Sequence, residues 1–183
     1  MTENLNKTLA LQLKKARTGK GWSLDTTSKY CAVSKAMLGQ IERGESSPTV
    51  ARLWKIATGF ELPLSYFFSC DEHNALSDRS LRTEAGITIS TLFVFDPVTK
   101  MEVFSLTLAP GHEQVSAAHN SGVIEHILVT EGEMEYFLDN KWLPLNSGEV
   151  VKFKAEQVHG YRNVSAQATV FQNIICYPSG NES

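Results

Sequence analysis

The spacing of apolar residues changes once along this chain, and that change limits the fold more than any single motif. In the first 69 residues apolar positions recur three and four apart, the period of a helix face. From Gly86 onward they recur at every second residue, the period of a half-buried strand. One bundle or one sheet cannot satisfy both patterns. A chain of 183 residues is long enough to build two small cores, one helical and one of strands.

Charge divides at the same place. Residues 1–69 hold ten Lys/Arg against five Asp/Glu, a balance of +5, whereas residues 70–183 hold seven against fifteen, a balance of −8. The overall −3 conceals a basic half suited to a polyanion and an acidic half that is not. All five histidines (His73, His112, His119, His126, His159) lie in the acidic half. No apolar run approaches the roughly 18 residues that span a bilayer, and the start "MTENLNKTLALQLKK" lacks the apolar core of a signal peptide. A cytoplasmic protein is expected, with no membrane partner. Cys31, Cys70 and Cys176 are widely spaced and odd in number, as reduced structural thiols would be.

The basic half reads as five short helices, and residues 1–69 are expected to form one domain. Leu5, Leu9, Leu13 and Ala16 mark the first apolar stripe. Ser23 caps a second helix running to about Tyr30, and Ser34 caps a third that stops before Gly44. Ser47 followed by Pro48 reads as the start of a fourth, with Val50, Leu53, Trp54 and Ala57 inward. "TGFELPLSYFF" supplies a fifth, short one. The pair from 23 to 43 has the length of a helix-turn-helix, with "CAVS" as its turn. In the third helix Leu38 and Ile41 point inward while Ala36, Gly39, Gln40 and Arg43 share the other face. Small Ala36 and Gly39 permit close approach to a DNA groove, Gln40 suits adenine, Lys35 guanine, and Arg43 a phosphate. Ser23 and Ser34, at the two helix starts, complete the expected DNA-binding set.

This stretch, with its IERG-x-x-x-P element, resembles the DNA-binding domain of the XRE class, the lambdoid-repressor type of helix-turn-helix. The resemblance implies that Arg17 pairs with Glu42 and so serves the fold, not the DNA. Thr27 and Ser28 replace the family's Leu-Ala, and Ala32 stands where the family turn usually has Gly.

"SCDEHNALSDRS" carries no apolar period and reads as a linker over 70–80. Beyond it, "GITISTLFVFD", "MEVFSLTLA", "GVIEHILVTE", "EMEYFLDN", "EVVKFKA" and "ATVFQNIICYP" are strand-length runs separated by turn signals. About eight strands in so short a stretch predict a β-barrel or jelly roll over 81–183. His119, Glu125 and His159 are compatible with a transition-metal site. "HNSGVIEHILVTEG" and "GEVVKFKAEQVHGYRN" resemble the two metal motifs of the cupin family. The resemblance places His119, Glu125, Gly132, Gly148, His159 and Asn163 at motif positions. Ser121 replaces the family's second His, Glu113 its first Gly, and Lys154 and Glu156 the second motif's Pro and Gly. Three of four ligand positions remain. They suit zinc or iron, or a metal-free pocket in which they hydrogen-bond an organic ligand; both readings stay open. Strand alternation puts His126 opposite Glu125. Tyr161, Gln172 and Tyr136 are further candidates for lining the pocket.

Along nearly its whole length the chain resembles XRE-cupin regulators, most of all the sulfur-utilisation regulators. That implies a homodimer on a palindromic operator of double-stranded DNA, controlled by a small effector, sulfur-containing or amino-acid-like. The alternative is a metal-dependent cupin enzyme carrying an autoregulatory helix-turn-helix.

Overall fold

The computed structural model of the chain describes residues 2–68, 80–82 and 86–178. It divides into two compact units, residues 1–83 and 84–183. The expected linker and Cys70 fall outside the described residues, residue 80 excepted.

The first unit has helices α1 (Thr2–Gly19), α2 (Leu24–Cys31), α3 (Lys35–Glu42) and α4 (Val50–Phe60). A three-residue strand, β1 (Ser80–Arg82), also falls within it. Four α-helices stand where five were expected. The fifth is a single 3-10 turn at Leu64–Phe67, because α4 ends in left-handed Glu61 and Pro63 leaves too few residues for an α-helical ladder. Ser23, Ser34 and Thr49 cap α2, α3 and α4, each accepting from the backbone N–H three residues on. The cap of α4 is therefore Thr49 and not Ser47, whose hydroxyl instead lies 2.9 Å from Asn6 Oδ1 on α1. Leu13, Leu38, Ile41, Leu53, Ile56 and Phe60 fill the core, while Trp54 is only half-buried.

Two backbone positions shape the end of α2. Ala32 ends α2 at φ 50°, a left-handed conformation that costs a residue with a Cβ about 1 kcal/mol. Gly59 of α4 lies against the end of α2, so that a Cβ there would come within 2.7 Å of Cys31 Cα and 2.8 Å of the Tyr30 carbonyl oxygen.

In the second unit nine strands lie among the described residues. They are β2 (Ile87–Asp96), β3 (Met101–Leu108), β4 (Glu113–Ser116), β5 (Ile124–Glu131), β6 (Glu133–Leu138), β7 (Lys141–Asn146), β8 (Val150–Lys154), β9 (His159–Arg162) and β10 (Thr169–Cys176). Within this unit the larger sheet runs β2-β3-β10-β5-β8 and the smaller β4-β9-β6-β7. Neighbouring strands in both sheets pair antiparallel. Alternation is clean in the central strands: Glu125, Ile127 and Val129 of β5 and Phe171, Asn173 and Ile175 of β10 face the core. Tyr161 of the smaller sheet meets Phe171 of the larger at 5.0 Å between ring centroids, so the two inner faces share one interior.

Ala32→Gly is expected to stabilise the first unit by about 0.5–1 kcal/mol and Gly59→Ala to destabilise it by about 1–3 kcal/mol. Thermal melts of the two variants read both signs.

Candidate functional site

The surface of α2 and α3 is built on Leu38 and Ile41, both fully buried. Fixing them inward turns Lys35, Ala36, Gln40 and Arg43 to solvent, with Ser23 and Ser34 exposed at the helix starts. Gly39 does not join them. It is buried beneath Arg43, and a Cβ there would lie 3.1 Å from Arg43 Nη1 and 3.9 Å from Leu24 Cδ1. The expected surface role of Gly39 is thus corrected: i+3 spacing from Ala36 carries it round towards α2, where the missing side chain makes room for the guanidinium. Lys35 Nζ lies 2.7 Å from Asp25 Oδ2, and Arg43 donates to both oxygens of Glu45 at 2.8 and 2.7 Å. Arg17 donates twice to Glu42 (2.6 and 3.0 Å) and once to the Trp22 carbonyl (2.9 Å). That fork ties α1 to α3 and to the α1–α2 turn, the structural role the resemblance implies. The Glu42 hydrogen bond, outweighing burial, raises the Arg17 pKa.

In the second unit His119 arrives on the loop before β5, Glu125 on β5, and His159 and Tyr161 on β9. All four are buried. Glu125 Oε1 lies 3.0 Å from His119 Nε2 and 3.3 Å from His159 Nε2; ligand atoms of the three residues fall within 4.8 Å of one another. Glu125 Oε2 accepts from the Tyr161 hydroxyl and from Asn173 Nδ2 (2.9 Å). The carboxylate thus turns one oxygen to the imidazoles while two neutral donors hold the other. Burial alone would raise the Glu125 pKa, yet the hydrogen bonds from both histidines outweigh it and hold the group well below the usual carboxylate range. Burial likewise would lower His159, but the Glu125 hydrogen bond and charge raise it. Burial, and then the Glu125 charge, push Tyr161 well above the phenol range, so it remains a donor.

One contact shows what this arrangement suits. His159 Nδ1 lies 2.9 Å from the Gln157 carbonyl oxygen, which can only accept, so Nδ1 carries a proton. In the neutral ring the Nε2 lone pair then faces a carboxylate oxygen. Two acceptors 3.3 Å apart need a proton or a cation between them. The donor set and this outer hydrogen bond fit a metal ion, since ligating imidazoles characteristically give their other N–H to a carbonyl.

Tyr136 pairs with Tyr161 in register and stacks parallel to Phe153, which lies 5.5 Å from His159. Gln172 is corrected. It alternates outward between Phe171 and Asn173, and Asn173 occupies the inward position expected of it. Asn173 Oδ1 is buried without a hydrogen-bond partner among the described residues. His126 lies on the opposite face, near Cys176 (3.8 Å). Three of the four departures from the cupin motifs meet in space. Ser121 Oγ donates to Glu156 Oε2 at 3.0 Å, the Gly122 N–H reaches the same oxygen at 3.2 Å, and Lys154 stands 3.8 Å from Oε1. Where the fourth ligand would stand, a hydrogen-bonded clamp instead anchors the His119 loop to the end of β8. Asn163 has a turn-forming role, bonding Leu108, Ser165 and Gln167.

Residues 13–67 match the helix-turn-helix family and residues 104–175 the cupin domain family. The chain is 45% identical to the HTH-type transcriptional regulator SutR of Escherichia coli (strain K12) over 176 residues, 96% of this chain and 98% of that one. It belongs to this family of HTH-type transcriptional regulators with a cupin domain. A crystal structure of a helix-turn-helix family transcriptional regulator from Vibrio cholerae is similar over 98% of this chain and 100% of that one, with TM-score 0.89 and 46% identity. The cupin domain of an XRE family transcriptional regulator from Enterobacter cloacae covers 51% of this regulator at 37% identity and TM-score 0.51, with 99% of that chain matched. Among the described residues no helix is long and apolar enough to cross a membrane.

The shifts of Glu125 and His159 give chelator-treated protein a pH signature. A depressed carboxylate contributes stability above its ordinary value of 4.5 and loses it as pH falls; a raised imidazole contributes fully below 6.5 and loses it as pH rises. The second unit is expected to melt highest between those values. Glu125→Gln should flatten the alkaline fall in melting temperature.

Proposed function

We propose that the chain is a sequence-specific DNA-binding transcriptional regulator whose cupin unit senses a small metabolite at a metal held by His119, Glu125 and His159. Its relatives are named as regulators, and it is a regulator and not an enzyme. The observation that carries the reading is the exposed face of α3. A short, doubly capped helix with a flat, polar surface stands beside α2 in a helix-turn-helix, the geometry that enters a major groove.

On this reading Gln40 and Lys35 read base edges, Ala36 lets the helix close on the groove, and Arg43, Ser23 and Ser34 meet phosphates. A symmetric dimer presents two such helices about 34 Å apart to a palindromic operator. The cupin unit is the proposed dimerisation element. A zinc or iron ion held by three ligands offers a further position to a polar or sulfur-bearing effector atom. Tyr136, Phe153 and Tyr161 would wall that ligand, and the unpartnered Asn173 Oδ1 would accept one of its N–H groups or a water. Effector binding changes operator affinity by the difference in its affinity for two arrangements of the dimer, typically about 1–3 kcal/mol.

The test is selection of a high-affinity duplex from a random pool, followed by substitution. Gln40→Ala and Lys35→Ala should each cost about 1–3 kcal/mol on the selected duplex and relax preference at one base position per half-site. Equal losses on selected and random DNA would reassign both residues to the backbone.

A further inference from the structure

Both cations on the α3 face carry a carboxylate of their own. Lys35 Nζ is bonded to Asp25 Oδ2 at 2.7 Å, from one helix of the motif to the other. Arg43 is forked onto Glu45 through Nε and Nη2 while its Nη1 lies over Gly39. The pairs are exposed, with 58% and 65% of the Lys35 and Asp25 side chains accessible and 59% and 54% of Arg43 and Glu45. Exposed pairs contribute little to stability. Their consequence lies in the field they leave behind: within residues 1–69, which carry five excess positive charges, the surface expected to meet DNA carries none in excess. Glu45 stands just past Gly44 (φ +71°), whose left-handed turn ends α3 and brings the carboxylate back to Arg43.

We infer that Asp25 and Glu45 are specificity-determining residues that neutralise Lys35 and Arg43 and so suppress binding of the reading helix to arbitrary DNA. The inference rests on the placement of α3 against DNA. Non-specific binding is almost wholly counterion release from phosphates, so a cation already paired brings little to it. On a random sequence a freed lysine or arginine finds a phosphate wherever the protein settles. On the operator the register is fixed by base contacts, and a freed cation meets only what lies at its place. Unpairing therefore strengthens random DNA more than the operator, and the ratio between them falls. Asp25 and Glu45 act through their partners and are positioning residues, not base readers.

The test uses the full chain carrying Asp25→Asn with Glu45→Gln, on a random duplex of about 30 base pairs and on a duplex selected with the parent protein. Both changes are isosteric and exposed. The control, Glu131→Gln with Asp139→Asn, removes the same charge from the second unit. Affinity for the random duplex is expected to rise about three- to tenfold at low salt, with the salt slope steeper by about 0.9 for each cation freed. The selected duplex should gain less, and the control should match the parent. An unchanged affinity and slope on random DNA would overturn the inference, as would equal gains on both duplexes or an equal gain in the control. A parent that binds neither duplex would instead overturn the DNA-facing placement of α3.

Discussion

The second unit is organised around one carboxylate. Glu125 is buried on the central strand β5, where an unpaired charge would cost several kcal/mol, and four side chains from three segments surround it. The loop before β5 supplies His119, β9 supplies His159 and Tyr161, and β10 supplies Asn173. Each must be in place for the others to be tolerated, so the carboxylate fixes the distance between the two sheets as well as the site. The same crowding of donors leaves one oxygen facing two imidazoles. The packing of the two sheets and the candidate site thus draw on a single group, and on the proposed reading occupancy of the site bears directly on how the sheets are held together.

The first unit rests on a comparable tie. Arg17 reaches from α1 to Glu42 at the end of α3 and to the carbonyl of Trp22. Charge-assisted bonds of this kind are each worth about 1.5–3 kcal/mol, and these hold α3 by its buried side. Its outer face is left exposed to solvent. That face is polar and, through Asp25 and Glu45, close to neutral. On the proposed reading, basicity elsewhere in the unit supplies attraction to DNA, while α3 supplies discrimination.

Much of this was readable from spacing alone. The change of period separated the units, and six apolar runs corresponded to six of the strands. Of the three others, β4 and β9 have only four residues each; β7 contains Pro144, and β9 has Gly160 between its two site residues, so neither shows a clean alternation. His119, Glu125 and His159 were reached through motif spacing, but Asn173 was missed by one residue. Gln172 and Asn173 are both polar in an apolar strand, and only the inward burial of Phe171 and Ile175 decides between them. Gly39 was misplaced because helical spacing gives a direction and not the position of the neighbouring helix. Ser47 looked like a cap until Asn6 of another helix claimed its hydroxyl. Ser121 and Glu156 read as two separate losses from a motif. Being 35 positions apart, they could be seen as one clamp only in three dimensions.

The central claim, that the Glu125 site holds a ligand-bearing metal, is tested most directly by the intact mass of the purified full-length chain under native conditions, set against its denatured mass. The account predicts an excess of one transition-metal ion per chain, retained in Gln172→Ala and lost in His119→Ala and in Glu125→Gln. A native mass equal to the denatured mass after expression with zinc and iron supplied would contradict it.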